Sequence, residues 1–487
     1  MPEVSIHMNA KSTNAWVLAL TSVASLMVAL DTLVVSTALT TIRQDLGASI
    51  EELEWTVNSY NLSLAVLLLP AAALGDRFGR RRVFAAGLGL FAATSAACAL
   101  APGVGWLIAA RAFQGAGAAL VISLALAIVS AAYPPERRGS AIGVLEGITG
   151  LAVVAGPVIG GAVSQGLSWE WIFWVNVPIG LVALPLALAR IEESFGGDTA
   201  LDMRGLVLVG GGGFGIVWGL VRGNSAGWGS LEVVLALALG TALVAAFAAW
   251  ELRAREPMLP MRFFRSRAFS AGNAATFFLF ASLFGAVFFF AQFLQTGLGH
   301  DPLEAGLRLM PWTATLFLVA PLAGALADRI GERPLVVGGL TLQAAGMAWL
   351  ATIAEPGLAF TEMLAPSIVA GVGTSAAIPT SANAVVGAVS IEAVGKAAGA
   401  NGMLRELGGV FGIAVAVAVF AGAGNYASAA AFSDGFVAAL GVGAALSAAG
   451  AVTGLVLPAH GATESTADKE VSDDDPSGRV AGAPEGA

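Results

Sequence analysis

A small set of ionisable residues interrupts otherwise apolar stretches of this sequence. Asp31 lies in Leu-Asp-Thr-Leu-Val-Val, and Arg111 opens Arg-Ala-Phe-Gln-Gly. A charge at the centre of a membrane helix costs roughly 2.5–3.5 kcal/mol on insertion scales, so a retained charge suggests a function. Surroundings poor in water disfavour the charged form of a carboxyl, which would let Asp31 take up and release a proton. The alternative is a structural acid bonded to hydroxyl groups or to a basic partner.

Arg111 is the candidate partner of Asp31. The two helices that carry them would run antiparallel, so the residues are predicted to lie at similar depth. A guanidinium beside Asp31 favours its charged form, so desolvation and pairing would compete and together set when the proton leaves. A static pair that holds the helices together is the alternative. Glu146 is a third candidate for proton coupling; it would bind a proton or a cationic group, or extend to the membrane surface.

Other charged residues have a less direct interpretation. Arg405 and Glu406 are adjacent, and neighbouring residues on a helix point about 100° apart. We therefore expect no face-to-face pair, and we expect at least one of the two side chains to extend to the cytoplasmic surface. The acidic group Glu51, Glu52 and Glu54 is predicted to face solvent.

Signatures of enzymes and of nucleotide-driven motors are missing from the sequence. It has no G-x-x-x-x-G-K-[S/T], no H-E-x-x-H and no paired C-x-x-C. The stretch Gly210–Gly215 fits G-x-G-x-x-G, but it lies inside an apolar run, where close helix packing is the better explanation. We expect no enzyme activity, no metal and no cofactor. The sequence has no block of basic residues, so we expect no nucleic-acid partner.

The elements that must position these residues are membrane helices. Hydrophobic residues make up 57% of the 487 residues, charged residues 12%, and the mean hydropathy is +0.80. This leaves too little polar surface for a water-soluble particle. Fourteen continuous apolar runs are long enough to cross a bilayer, and only helices satisfy the backbone there. The sequence predicts an all-α membrane protein with 14 transmembrane helices.

An internal repeat divides these helices. Ala-Leu-Gly-Asp-Arg-Phe-Gly-Arg-Arg-Arg-Val (73–83) follows the second apolar run, and Ala-Leu-Ala-Asp-Arg-Ile-Gly-Glu-Arg-Pro-Leu (325–335) follows the tenth. Parallel repeats of this kind are typical of transporters. We predict two six-helix bundles, residues 1–190 and 268–458, joined by residues 191–267 with two extra helices, and then a disordered cytoplasmic tail, residues 459–487.

The distribution of basic residues predicts the orientation. Most arginines and lysines outside the apolar runs fall on one side, which the positive-inside rule places in the cytoplasm together with both termini. Lysine occurs only three times beside abundant arginine, alanine and glycine, a composition typical of GC-rich bacterial genomes. We expect a multi-pass protein of the bacterial plasma membrane, with the lipid bilayer as its surroundings, and a monomer.

Two further groups are candidates for conformational change and for substrate binding. The fifth apolar run contains closely spaced small residues and one proline, which would form a hinge or a sliding surface, or serve only for close packing. These hinge candidates are Gly156, Pro157, Gly160 and Gly161. The predicted substrate cavity combines amides with an aromatic face, although the amides could bond between helices and the aromatics could face lipid. It comprises Asn58, Asn61, Gln114, Phe284, Phe288 and Gln292.

These motifs resemble those of the major facilitator superfamily and, within it, the fourteen-span drug:proton antiporters. Residues 75–82 resemble the signature of the loop between helices two and three. The Leu30-Asp31-Thr32, Arg111–Gly115 and Gly156–Gly161 segments resemble motifs of the first, fourth and fifth helices. The segment Trp169–Gly180 resembles one typical of the fourteen-span group, with Glu170 where arginine is usual.

The resemblance implies alternating access by two bundles, with proton coupling at Asp31 and Arg111. It implies that Asp76 caps or pairs at the start of the thirteenth helix and that three arginines brace the inward gate. The predicted gate comprises Gly75, Asp76, Arg77, Gly79, Arg80, Arg81, Asp328 and Arg405. The expected function is export of hydrophobic small molecules, cationic ones among them, in exchange for protons. A dedicated metabolite exporter, a proton symporter and a non-transporting membrane sensor or scaffold are the alternatives.

Overall fold

The computed structural model describes residues 2–196, 202–254, 257, 259–389 and 394–459. Within these ranges the chain is helical, with no strand. The helices of the first part are α1 (Pro2–Leu46), α2 (Ile50–Phe78), α3 (Arg80–Ala99), α4 (Val104–Ala132), α5 (Pro135–Gly166), α6 (Trp171–Trp174) and α7 (Asn176–Arg190). The remaining helices are α8 (Met203–Ala226), α9 (Leu231–Glu251), α10 (Arg267–Gln292), α11 (Pro302–Thr313), α12 (Thr315–Ile330), α13 (Glu332–Ile353), α14 (Phe360–Val386), α15 (Val394–Ala423) and α16 (Ala429–Gly454).

In the part of the chain that the structure describes, thirteen helical spans are long and apolar enough to cross a membrane, and there are fourteen when the two parts of the bent helix α2 are counted as one span. Among the described residues the predicted all-α membrane fold is therefore confirmed. The sixth and tenth predicted spans are each divided, into α6 with α7 and α11 with α12. A turn of 3-10 helix (Met261–Arg265) precedes α10, and a turn of π-helix (Phe293–Gly297) extends it. Apart from its first residue, the predicted tail lies outside the described residues.

Helix α2 bends by 52° between Leu68 and Pro70. Proline has no backbone N–H and its ring clashes with the carbonyl four residues earlier, which accounts for the break. The Ser123 hydroxyl of α4 donates to the Leu68 carbonyl at 2.6 Å. The other end of α2 is closed by a capping box, in which Ser49 and Glu52 exchange backbone and side-chain hydrogen bonds.

The repeated sequences occupy equivalent turns. Gly79 joins α2 to α3 with φ of +102°, and Gly331 joins α12 to α13 with φ of +82°. A side chain at either position would be strained in this left-handed region, which explains why glycine occurs in both copies. The end of the molecule that carries these turns is called here the arginine-rich end.

The helices pack in three groups. Helices α1–α7 pack among themselves, and α10–α16 do the same. The pair α8 and α9 packs together, and α8 also contacts α2 and α15. The two large groups meet where α5 contacts α11 and where α2 contacts α15. The bundle boundaries at residues 190 and 267 stay predictions.

Candidate transport site

Asp31 and Arg111 form a buried ion pair between α1 and α4. Their residues are 2% and 0% exposed, and Arg111 Nη1 donates to Asp31 Oδ2. The other carboxylate oxygen, Oδ1, accepts from Gln114 Nε2 at 2.9 Å and from Asn176 Nδ2 at 2.8 Å. Three side chains from two helices, α4 and α7, thus donate to one carboxylate, which is the compensation that a buried charge needs.

The guanidinium of Arg111 is held on several sides. Its Nε donates to the Thr56 carbonyl at 3.2 Å, and Nη1 also donates to Gln114 Oε1 at 2.8 Å. Its Cζ lies over the Tyr60 ring, 4.1 Å from the ring centroid, a cation–π contact that stabilises the charge away from water. Gln114 completes the network by donating to Ser95 at 2.8 Å. These residues, with Asp31 and Asn176, are called here the ion-pair cluster.

Sequence reasoning missed Asn176 as a member of this cluster. It is 2% exposed and begins α7, far from Asp31 along the chain. The available signal was an amide inside the apolar stretch Trp-Val-Asn-Val-Pro, since a buried amide needs a partner. Nothing in the spacing identified which partner that is.

A cavity lies beside this cluster, between the two large helix groups. It is half open, and the space in it not occupied by atoms, open solvent included, is about 360 Å³. Its wall is mostly apolar, and all of its polar side chains come from α1 and α2. The lining residues are Thr32, Leu33, Ser36, Val57, Asn61, Phe284, Val287, Phe288 and Ile413. The chemistry of this wall matches a largely apolar molecule with one hydrogen-bonding edge.

Three of the six predicted cavity residues line this space, namely Asn61, Phe284 and Phe288. The structure places Gln114 in the ion-pair cluster instead. Asn58 is fully buried and donates to Glu54, and Gln292 donates to the Phe288 carbonyl and accepts from Tyr426.

Adjacent residues join the cavity to the cluster. On α1, Asp31 belongs to the cluster and Thr32 lines the cavity; on α2, Tyr60 packs against Arg111 and Asn61 lines the cavity. The Thr32 hydroxyl donates to the Tyr60 hydroxyl at 3.3 Å. A rotation of either helix at this level would therefore alter both sites together.

Comparison with known proteins identifies the family. Residues 21–261 and 272–476 match the family model of the Major Facilitator Superfamily. The chain belongs to this superfamily. It is a multi-pass membrane transporter and not an enzyme.

Several relatives with known names align with most of this chain. The tetracenomycin C resistance and export protein of Streptomyces glaucescens is 36% identical over 400 residues, 81% of this chain and 73% of that protein. The cephamycin export protein CmcT of Amycolatopsis lactamdurans is 34% identical over 414 residues, 84% and 85%. The multidrug resistance protein Stp of Mycobacterium tuberculosis is 33% identical over 407 residues, 81% and 74%.

Solved structures agree on the fold. The crystal structure of the peptide transporter POT with sulfate superposes with a TM-score of 0.67 and covers 91% of this chain and 93% of that one. The sequence identity is 15%, so this likeness shows the major facilitator fold alone.

The two halves of this transporter are closed at the end opposite the arginine-rich end. A Cβ on Gly161 of α5 would collide with the backbone of Pro302, and one on Gly306 of α11 with that of Pro157, so only glycine permits this approach. Gln295 donates to the Thr37 carbonyl at 2.9 Å across the same interface. Of the other hinge candidates, Gly156 and Gly160 pack against α1.

Tyr426, in the loop after α15, completes this closed end. The Arg43 guanidinium lies 4.0 Å from the Tyr426 ring centroid. Burial raises the pKa of the Tyr426 hydroxyl, with a partial offset from Arg43, so the hydroxyl stays protonated and donates to Gln292.

At the arginine-rich end, the backbone groups of three gate candidates, Asp76, Arg80 and Arg81, bond to the segment after α7. Arg80 binds Asp76 at 2.8 Å, and the Arg81 backbone donates to Glu193 at 2.9 Å. Gly75 packs against α4. Arg77 lies over the ring of Phe78. The expected pairing of Asp76 with the start of the thirteenth span is not among the described contacts.

Two expectations about charged residues are wrong. Arg405 and Glu406 form an ion pair at 2.9 Å, because the long arginine side chain turns back to its neighbour. Glu406 is only 4% exposed. Glu54 does not face solvent, since it is fully buried in α2. Asp328 of α12 is exposed. The side chain of Glu146, on α5, lies outside the described residues.

Proposed function

We propose that this transporter exports hydrophobic small molecules in exchange for protons. The observation that carries the proposal is the placement of the ion-pair cluster directly behind the cavity wall, with Asp31 next to Thr32 and Tyr60 next to Asn61. A change in the charge of the cluster would be transmitted to the wall through these neighbours.

The exchange requires the cluster to open during the cycle. In this conformation Asp31 has three donors and its side chain does not line the cavity, so its charge is compensated and shut away from the cavity. When the halves separate at the end where Gly161 and Gly306 now meet, α1 and α5, which belong to the same half, move away from α11 together. Asp31 would then be able to take up a proton, and Arg111 would change partner. Glu146 and Arg405 retain proposed roles in coupling and gating.

The names of the relatives support export as the direction. Tetracenomycin C, puromycin and cephamycin appear in the names of resistance or export proteins similar to this chain. A single antibiotic-like metabolite as substrate is therefore the second candidate, beside the multidrug activity in the name of Stp. We place the arginine-rich end and both termini in the cytoplasm of a bacterial cell.

The proton gradient supplies enough energy for this transport. One proton crossing 100 mV releases about 2.3 kcal/mol, which supports roughly fifty-fold accumulation of a neutral molecule. No nucleotide-driven motor is needed for that.

Everted membrane vesicles test the proposal. Vesicles from cells producing the protein should accumulate hydrophobic dyes when a proton gradient is imposed and should lose them when a protonophore collapses it. The Asp31→Asn variant should not accumulate dye, whereas Asp45→Asn, which changes an exposed carboxyl on the same helix, should behave as the unmodified protein. Gradient-driven accumulation that survives in Asp31→Asn would remove the cluster from the mechanism. Its absence for every compound in a broad panel would favour a scaffold.

A further inference from the structure

Glu54 is a buried carboxyl that the proposed exchange does not use. It lies in the second turn of α2 and none of its surface is exposed. Its Oε1 accepts from Asn58 Nδ2 at 3.1 Å. Its Oε2 is buried and has no hydrogen-bond partner among the described residues.

The charged groups at this end of the molecule do not neutralise Glu54. Glu51, on the same helix, carries the same sign of charge. Arg222 of α8 forms ion pairs with Glu51 at 3.7 Å and with Glu232 at 3.0 Å, and Arg43 of α1 stacks on the ring of Tyr426. No ion pair to Glu54 is found among the described residues.

Glu54 and Asp31 are therefore in opposite situations. Asp31 has an arginine and two amides as donors, whereas Glu54 has one amide. An uncompensated carboxylate is strongly disfavoured away from water, and the neutral acid is disfavoured far less. The geometry favours a charged Asp31 and a protonated Glu54 in the same conformation.

A polar stripe leads from Glu54 to the cavity. Glu54, Asn58 and Asn61 are spaced by four and three residues, so they lie on one face of α2 over about 10 Å. Asn58 Oδ1 and both polar atoms of the Asn61 side chain are buried without partners among the described residues. Asn61 also lines the cavity. These free groups are able to bind water or a substrate that enters.

We propose that Glu54 is a second proton-binding carboxyl, which holds its proton while Asp31 is charged and exchanges it with the cavity along the Asn58–Asn61 stripe. On release, the O–H bond of the acid breaks, the electron pair stays on the carboxylate, and a water in the cavity takes the proton. The part of this inference that concerns coupling rests on the proposed exchange, whereas the protonation of Glu54 does not.

Infrared spectroscopy of the purified full-length protein tests protonation without any transport assay. The unmodified protein at neutral pH should show the carbonyl band of a protonated carboxylic acid. That band should lose intensity in Glu54→Gln and keep it in Glu51→Gln, a matched change of a partly exposed carboxyl one turn away. Unchanged band intensity in Glu54→Gln, or no band in the unmodified protein, would overturn the inference. A folded Glu54→Asp variant should shift the band, which excludes a loss caused only by misfolding.

Vesicle transport tests the coupling role. Glu54→Gln should reduce gradient-driven accumulation by a factor that approaches roughly fifty, because one proton crossing 100 mV supports an accumulation ratio of that size. Exchange of substrate for substrate without a gradient should continue. Unchanged accumulation would show that the Glu54 proton is not coupled to transport. If the infrared band is present but no compound is transported by any variant, the proposed function fails and the protonated Glu54 stands.

Discussion

Removing one partner of the buried Asp31–Arg111 pair should be far more costly than removing both. Asp31→Asn leaves the Arg111 guanidinium charged in a place where neither it nor Asp31 is more than 2% exposed. Breaking a buried pair in this way costs about 3–5 kcal/mol, because the remaining charge is uncompensated. Arg111→Gln leaves the Asp31 carboxylate and should cost a similar amount.

The double variant leaves two amides that are able to bond to each other and to Gln114 and Asn176. We therefore expect the double variant to lose several kcal/mol less unfolding free energy than the sum of the losses in the two single variants. The assay is equilibrium unfolding of the purified protein in mixed micelles with increasing dodecyl sulfate, followed by helicity. The four proteins form a double-mutant cycle, which isolates the interaction between the two side chains.

An exposed pair of the same kind provides the control. Glu304 and Arg308 of α11 also form an ion pair, but their side chains are 45% and 21% exposed. Their cycle should give only about 0–1 kcal/mol, since water and salt screen the charges. Additive losses at Asp31 and Arg111 would refute the claim that the two charges compensate each other.

Three further outcomes are expected. Asn176→Leu should cost about 1–3 kcal/mol of unfolding free energy through the lost bond to a carboxylate, and clearly less in an Asp31→Asn background; equal losses in both would contradict the contact. Gly306→Val should separate α5 from α11 and speed hydrogen exchange of their closed ends, whereas Gly324→Val, where a Cβ has open space, should not. Asn61→Leu should weaken binding of a substrate with a hydrogen-bonding edge by about 1–3 kcal/mol, roughly 5- to 150-fold in Kd, and should leave a purely apolar dye unaffected.

The sequence was sufficient for the architecture and for the centre of the candidate site. Long apolar runs allow only helices, so the spans could be counted with ends uncertain by a few residues. Asp31 and Arg111 could be paired because antiparallel helices of known rise place them at one depth. The repeat could be recognised in the sequence because a turn at positive φ requires glycine in both copies, at Gly79 and Gly331.

The rest depended on which face of each helix turns inward, and uniformly apolar helices carry little periodicity. Gln114 therefore looked like a cavity residue, although it binds Asp31. Glu54 looked like one of three solvent-facing acids, although only its neighbours Glu51 and Glu52 are accessible to solvent. The partner of Asn176 could not be found, because helix packing, and not sequence spacing, brings α7 to α1.

The exchange itself is tested most directly by following pH while substrate binds. The assay uses purified protein in weakly buffered detergent with a pH-indicator dye. Addition of a transported compound should release protons. The release should disappear in a double variant, Asp31→Asn with Glu54→Gln, that still binds the compound. Binding that saturates without any change in pH, at every starting pH between mildly acidic and mildly alkaline, would contradict a transport cycle in which substrate and proton replace each other.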